Sequence, residues 1–421
     1  MKSSFHQHLA ASAVALTLFA AGCATAPTEY REPAALTAAG RSAHNLQVFE
    51  RTWALVNEKY FDAKFRGVDW PAMRTKYQPG AAAAKDDTTL YLVLNQLCTE
   101  LKESHLMAMA PRRVHEFRTE HRASVGFRMQ ILEAKRVVTD VVPGSPAAAA
   151  GVKTGWIVLS RNGSPLQEKD PYLPTLGQAV SYEFLDAENQ THRLTMNPLL
   201  INFEQREARA LPNGCRYLRF DGFDHKSLHW LSEQLKAQPA VPGVVIDLRN
   251  NPGGNLLALD VALAEFFTKK VSAGRMIKRN GHEQENKSLT WFSAHYSGRV
   301  VILADDSTGS AAEIFSHVLQ FYRRATVIGR RTAGAVIVSR TFDLPGGGRL
   351  QVPTNDYVGL DGQRLEGRGV TPDTVIPAPT LADWRAQHDA DLEAAARALQ
   401  QDTAPVNVHK KDARPIGRLV Q

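Results

Sequence analysis

Cysteine is scarce in this 421-residue chain, with three residues at positions 23, 98 and 215. None forms a paired motif, and no His-Glu-x-x-His stretch occurs, so the sequence offers no support for a metal site and calls for no cofactor. Cys98 falls in an apolar helical pattern and reads as a small buried hydrophobe. A Cys98–Cys215 bridge is chemically allowed outside a reducing compartment, but sequence alone does not establish their proximity. The uncharged run Leu9 to Ala21 is too short to span a bilayer comfortably. Charge of one sign is also in short supply: 50 basic residues stand against 43 acidic ones, for a net charge of +7. The basic residues are scattered, and their densest small group is Lys410, Lys411, Arg414 and Arg418 in the tail. This describes a solvated surface and excludes a nucleic-acid partner. Pro345-Gly346-Gly347-Gly348 lacks the strand and helix that flank a phosphate loop, and reads as a hairpin-like turn.

Lys2 followed by the run to Ala21 has the layout of a secretory signal, residues 1–22. Its end, Ala20-Ala21-Gly22-Cys23, resembles the lipobox of bacterial lipoproteins, with Ala20 where Leu or Val is commoner. The small residues give a signal peptidase access to the backbone, and Cys23 becomes the lipidated first residue. Ala24 after the cysteine implies, by that resemblance, an outer-membrane anchor facing the periplasm. Residues 23–40, rich in Ala, Thr and Pro, read as a flexible tether.

A helical N-terminal domain is expected over 41–118. Leu46, Phe49, Trp53, Val56 and Tyr60 recur at helical spacing. A second helix begins near Asp69-Trp70-Pro71, with Asp69 as cap and proline in the first turn. A third presents Leu90, Leu94, Leu97 and Leu101 on one face, and the region closes on Glu103-Ser104-His105.

Over 122–200 the texture turns to short strands and tight turns. Val125-Gly126-Phe127, then Gly144-Ser145-Pro146-Ala147 before an Ala-rich helix, then Gly151 to Leu159 and Asn162-Gly163, closely resemble a PDZ domain of the bacterial protease type. Trp156 replaces the usual Asp of that motif. The resemblance implies that Val125, Gly126 and Phe127 form the loop offering N–H groups to a peptide's C-terminal carboxylate, beside a strand edge that pairs with the peptide.

From 201 to 380 the pattern is α/β. Val244 to Leu248, Val300 to Leu303 and Thr326 to Gly329 read as buried strands. In such layered folds ligand sites lie where strands end and helices begin. Ser310 occupies that place in Gly309-Ser310-Ala311-Ala312-Glu313, where a helix N-terminus favours developing negative charge. The same residues also spell a capping box, in which serine simply ends a helix; both readings can hold together. The N–H groups of Gly253 and Gly254, with that of Ala311, can line an oxyanion hole; a tight turn needing positive φ explains the glycines equally well.

Asp247-Leu248-Arg249-Asn250-Asn251-Pro252-Gly253-Gly254, Gly309 to Ile314 and Gly369-Val370-Thr371-Pro372-Asp373 follow in one order. Together they resemble the C-terminal processing (tail-specific) peptidase family, from Trp53 to about Ile376. The resemblance implies an α/β multidomain protein: helical N-terminal domain, PDZ-like β domain and a ClpP/crotonase-like ββα-superhelix core. It also implies Ser310 as nucleophile. One departure stands out. The general-base lysine of Ser-Lys members, about 25 residues past the serine, falls here on Ala335. Arg330 and Arg331 nearby do not lose a proton at working pH, and His317 lies two helical turns from Ser310, too far to serve.

The sibling branch typified by the tricorn core uses Ser, His, Glu and a second Ser. Leu101-Lys102-Glu103-Ser104-His105 matches its histidine segment, and Leu365-Glu366-Gly367-Arg368-Gly369-Val370 its glutamate segment. That resemblance implies His105 as base, with Glu366 acting through Ser104. The expectation is a serine endopeptidase acting on exported polypeptides, engaged through their C-termini by the PDZ-like module. The alternative is an inactive homologue that only docks peptides. Residues 381–421 are expected to form one helix, near Leu381 to Leu399, and a disordered tail.

Overall fold

The computed structural model describes residues 29–31, 36–166, 174–203, 206–289 and 296–401. The expected signal, Cys23, most of the tether and the tail after the last helix lie outside the described residues.

Three helices, Ala38–Lys59, Trp70–Ala82 and Asp87–Thr99, build the N-terminal lobe. The first opens at Ala38, inside the stretch expected to be tether. Asp69 caps the second by accepting from the Ala72 N–H (3.0 Å), with proline in the first turn. Asp86 caps the third through the Thr89 N–H (2.7 Å). Phe49, Val56, Tyr60, Leu90, Leu94 and Leu97 are fully buried, each worth about 1.5–3 kcal/mol for a side chain of that size. Leu344, Leu350 and Val352 of the α/β core share this cluster, so the lobe is fused to the core. The joint is a strand, Met107–Met109, which pairs antiparallel with Arg349–Val358. That pairing carries the residues just before it, Ser104 and His105, onto the core.

Arg122–Ser124 and Leu199–Ile201 pair antiparallel, so the chain enters and leaves the β domain side by side. Within it, Phe127–Leu132 is the edge strand of a sheet continued by Lys135–Val141, Ile157–Arg161, Val180–Leu185 and Thr191–Met196.

The core sheet runs Arg206–Ala210, Arg216–Phe220, Gly243–Asp247, Arg299–Ala304, Thr326–Gly329 and Thr374–Val375. From the second of these onward every pairing is parallel, as crossover helices require. Helix Ala311–Phe321 follows the strand Arg299–Ala304 and is buried along most of its length. A second sheet, carrying Arg349–Val358, Ser272–Lys278 and Val338–Asp343, lies beside the first; Pro345–Gly347 makes the turn of its hairpin. Cys98 and Cys215 are both free and buried, in separate clusters; burial alone pushes the Cys98 thiol up to about 12.

The single helix expected from Leu381 to Leu399 is two helices, Leu381–Ala386 and Ala390–Gln401. Gln387 breaks them at φ 53°. The cause is docking on two surfaces. Leu381 packs with Val137 and Ile157 of the β domain, whereas Ala395 and Leu399 pack on Val245, Leu303 and Ile328 of the core. At the break, Arg249 pairs with Asp389 (2.8 Å) and Asp391 (3.0 Å) while also holding Asp247 (2.6 Å). Burial works against the Asp247 carboxylate, but Arg249, Arg219 and the Tyr217 hydroxyl outweigh it and hold its pKa below the usual range.

Arg249→Met therefore leaves a carboxylate that is 1% exposed without its cation. The expected loss is about 3–5 kcal/mol, read as an earlier urea midpoint than wild type. An unchanged midpoint contradicts a central role for this pair.

Candidate active site

Ser310 sits at the turn between strand Arg299–Ala304 and helix Ala311–Phe321 with φ 53° and ψ −121°. L-residues rarely adopt such a backbone, and strain of order 1–3 kcal/mol persists only when neighbours over-determine it. Here they do. The Ser310 N–H donates to the Ala335 carbonyl (2.9 Å) and to Glu313 Oε2 (3.0 Å). Gly309 N–H donates to Asn251 O (2.9 Å), and the Thr308 hydroxyl donates to Leu248 O (2.8 Å). The serine is thus aimed by backbone geometry, as in other strained strand-to-helix nucleophile turns.

Glu313 does more than complete the capping box. Its buried carboxylate accepts from Thr332 Oγ1 (2.5 Å), Gly334 N–H (2.8 Å) and Ala335 N–H (2.8 Å) besides Ser310. Burial raises its pKa, and these four donors oppose the rise. The segment 332–335 is thereby clamped against the serine. Ala335 does lie against Ser310, but its side chain is a methyl group, so no base comes from there.

Gly253 and Gly254 have φ of 91° and 151°. A Cβ on Gly253 would come within 2.6 Å of Ala311 N, Gly309 O and Ser310 Cβ, so only glycine lets the two loops meet. The three expected oxyanion donors need one correction. Gly253 N–H already donates to Asn251 Oδ1 (2.9 Å), which leaves that group unavailable to a substrate oxygen. The N–H groups of Gly254 and Ala311 carry no hydrogen bond among the described residues.

Ser104, His105 and Glu366 come together from opposite ends of the chain. Ser104 Oγ lies 2.7 Å from His105 Nδ1. Glu366 Oε1 accepts from the Ser104 backbone N–H (3.1 Å), and its Oε2 accepts from the Val336 N–H (2.5 Å). The carboxylate therefore reaches Ser104 through the serine's main-chain amide. Because Val336 follows Ala335, one run of hydrogen bonds joins Ser310 to His105 through Ala335, Val336, Glu366 and Ser104. No direct bond links the Ser310 hydroxyl to the imidazole among the described residues; such bonds commonly tighten only with substrate bound. His317 is a core histidine whose Nε2 accepts from the Leu360 N–H (3.1 Å).

In the β domain, Val125 is buried and its carbonyl accepts from Ala147 N–H (2.8 Å). Gly126 N–H donates to Ser124 Oγ (3.1 Å). The adjoining edge strand touches the core: Gln130 Nε2 donates to Asn250 Oδ1 (2.8 Å), and Arg128 pairs with Asp221 (3.1 Å). The reading from sequence missed the clamp by Glu313 and the Asn251 side chain. A capping-box glutamate next to a serine was the only available signal for the former.

Comparison with known proteins gives this geometry its class. Residues 214–376 match the model of Peptidase family S41, and residues 41–99 match that of the Tricorn protease C1 domain. The protein is a serine-type peptidase. The Carboxyl-terminal-processing protease of Synechocystis sp. is 25% identical over 386 residues, covering 87% of this chain and 88% of the relative. Among solved structures, the photosystem II D1 C-terminal processing protease matches with TM-score 0.55 at 21% identity, over 86% of this chain and 98% of the other. Mature CPAF matches with TM-score 0.61 at 13% identity, over 87% and 99%. At such identities the structures speak for the fold alone. Residues 214–376 thus carry a Peptidase family S41 domain, and over most of its length the chain is similar to carboxyl-terminal-processing proteases.

Burial pushes the His105 imidazole below its usual pKa, partly offset by the Glu366 carboxylate, which raises it. A histidine acting as base works in its neutral form, so if His105 has that role a lowered pKa keeps it active at lower pH. The acid limb of kcat/KM should be centred below about pH 6.5. Glu366→Gln removes the raising charge and should move the limb further down. A limb above about pH 7 in wild type contradicts the assignment.

Proposed function

We propose that this peptidase is an exported, lipid-anchored endopeptidase that cleaves polypeptides through Ser310, His105, Glu366 and Ser104. The reading rests above all on the Glu366 carboxylate, which ties the loop bearing His105 to the segment lying against Ser310.

Ser104 Oγ occupies His105 Nδ1, so the imidazole's Nε2 is the nitrogen left to act on Ser310. With Nδ1–H donating to Ser104 Oγ, Nε2 is unprotonated and takes the Ser310 proton as the hydroxyl attacks the peptide carbonyl. Gly254 and Ala311 N–H groups receive the developing oxyanion, each such donor being worth about 3–4 kcal/mol in a transition state. Protonated His105 then delivers its proton to the departing amine, and water resolves the acyl-enzyme by the reverse route. Gly253 contributes closeness, having no side chain to hold the loops apart.

The PDZ-like domain supplies substrate capture. Its edge strand, Phe127–Leu132, is open to pairing with an extended peptide, and the Val125–Phe127 loop receives a C-terminal carboxylate once the Gly126 N–H exchanges Ser124 Oγ for it. Contact of the same strand with Asn250 puts captured peptide beside the loop that carries Gly254. The sequence around Cys23 supports export and a lipid anchor at an outer membrane.

A fluorophosphonate probe should label wild type and leave Ser310→Ala unlabelled, with His105→Ala reacting at least about a hundredfold more slowly. Equal labelling of wild type and Ser310→Ala removes Ser310 from the role. For the anchor, Cys23→Ser should move the protein from the membrane to the soluble fraction; persistent membrane retention counts against lipidation.

A further inference from the structure

Helix Pro111–Thr119, between the helical lobe and the β domain, carries the most exposed large apolar side chain among the described residues: Phe117, 73% exposed. Its buried side is Pro111 and Val114. Phe117 and Arg113 stand one turn apart on the outward side. Arg118 follows at the helix end, exposed and without ion pair or hydrogen bond among the described residues. A single exposed phenylalanine is ordinary; this one is set apart by the charge around it and by its place beside the tether.

The charge is of one sign. Arg112, Arg113 and Arg118 share the helix with one acid, Glu116, which Arg112 (3.2 Å) and Arg113 (3.5 Å) already hold. The next acid, Glu120, is taken by Lys226 (2.6 Å). Just beyond, burial and then the positive charges of Arg113 and Arg128 pull the Arg122 guanidinium below its ordinary pKa.

Tyr30 brings the tether to this helix, its ring centroid 5.8 Å from that of His115. Cys23 lies seven residues before Tyr30, a reach of at most about 25 Å fully extended. A compact chain of this length has a radius of gyration of roughly 22 Å and a width of roughly 50 Å, so a lipid on Cys23 cannot pass round to the far side. The first helix of the lobe ends up at the same place. A Cβ on Gly346 would lie 2.6 Å from His44 Cε1 and one on Gly347 3.9 Å from Pro111 Cβ, so the turn Pro345–Gly347 sits between the two helices. The end of the molecule that carries Phe117 is thus the end held next to the bilayer.

We propose that helix Pro111–Thr119 is a membrane-contact element: Phe117 enters the boundary between headgroups and acyl chains, while Arg113 and Arg118 meet the phosphates of anionic lipid. The inference rests on the lipid anchor proposed at Cys23 and adds an orientation to it. A lipid on a tether alone lets the body tumble, whereas a second contact fixes which face of the peptidase meets the bilayer.

The test uses the mature lipidated protein in phosphatidylcholine vesicles with and without phosphatidylglycerol. A nitroxide is attached at Phe117→Cys, its apolar ring standing in for phenylalanine, or for comparison at Val375→Cys on the edge strand of the core sheet. Cys98 and Cys215 are buried and stay unlabelled. Vesicle flotation and the mass of the N-terminal peptide report the anchor separately. With phosphatidylglycerol, the label at 117 should collide with oxygen and be shielded from an aqueous nickel chelate, while the label at 375 stays open to the chelate. Without phosphatidylglycerol, or with Arg113→Gln and Arg118→Gln together, the ratio of immersed to exposed label should fall at least about tenfold, each arginine near an anionic surface contributing about fivefold. A label at 117 open to the chelate, in protein that floats with its vesicles, overturns the contact and leaves the anchor standing. Immersion indifferent to both phosphatidylglycerol and the arginines overturns it too. Shielding from oxygen and chelate alike, with spin–spin broadening, puts a second copy on the helix and overturns it as well. Protein that does not float and has Cys23 unmodified removes the anchor and this inference with it.

Discussion

The Glu366 carboxylate is the point through which the site is assembled. Its two oxygens accept from Ser104 N–H and Val336 N–H, residues of two segments far apart in the chain. Hydrogen bonds to an ionised acceptor are about twice as strong as neutral ones, and here they span the seam between the helical lobe and the core. The strand Met107–Met109 does the coarse placement by joining the core's second sheet. The carboxylate then sets the loop just before that strand to within a hydrogen bond of its working position.

A second carboxylate works in parallel beneath Ser310. Glu313 gathers Ser310, Thr332, Gly334 and Ala335 into one clamp. It also explains how a backbone as strained as that of Ser310 survives, since four donors over-determine the geometry. The other wall depends on an absence of atoms: Gly253 lets the 250–254 loop touch the serine turn at distances no Cβ tolerates. Asn251 then ties that loop inward through Gly253 N–H and the Phe220 carbonyl (2.8 Å). The N–H groups left without a hydrogen bond among the described residues there are consequently the next amide along and the first of the helix.

The same core loop is gripped from outside. Gln130 reaches it from the β domain, and Arg249, at its start, holds the break between the two C-terminal helices. The C-terminal segment thus straps the β domain to the core sheet, and the strap passes over the strand whose end carries the Ser310 turn. A buried ion pair is seldom a source of net stability. Its worth here is in register, because Arg249 fixes where helix Ala390–Gln401 begins.

Much of the architecture was legible in the chain itself. Helical spacing of Leu90, Leu94 and Leu97, the cap at Asp69, and the β-branched runs around Val245 and Ile302 are local signals, and local geometry obeys them. The motif order around Ser310, with the missing lysine at Ala335, likewise pointed to a base elsewhere, and Ser104-His105 and Glu366 were recognisable by their segments. What no pattern along the chain contains is a meeting of residues 262 positions apart. Tertiary packing alone decided that Glu366 grips a backbone amide of Ser104, that Asn251 takes the Gly253 N–H, and that the last helix breaks at Gln387. Each of these turns on which donor lies nearest once two surfaces have closed, and propensity or periodicity within one segment carries no information about the surface it will face.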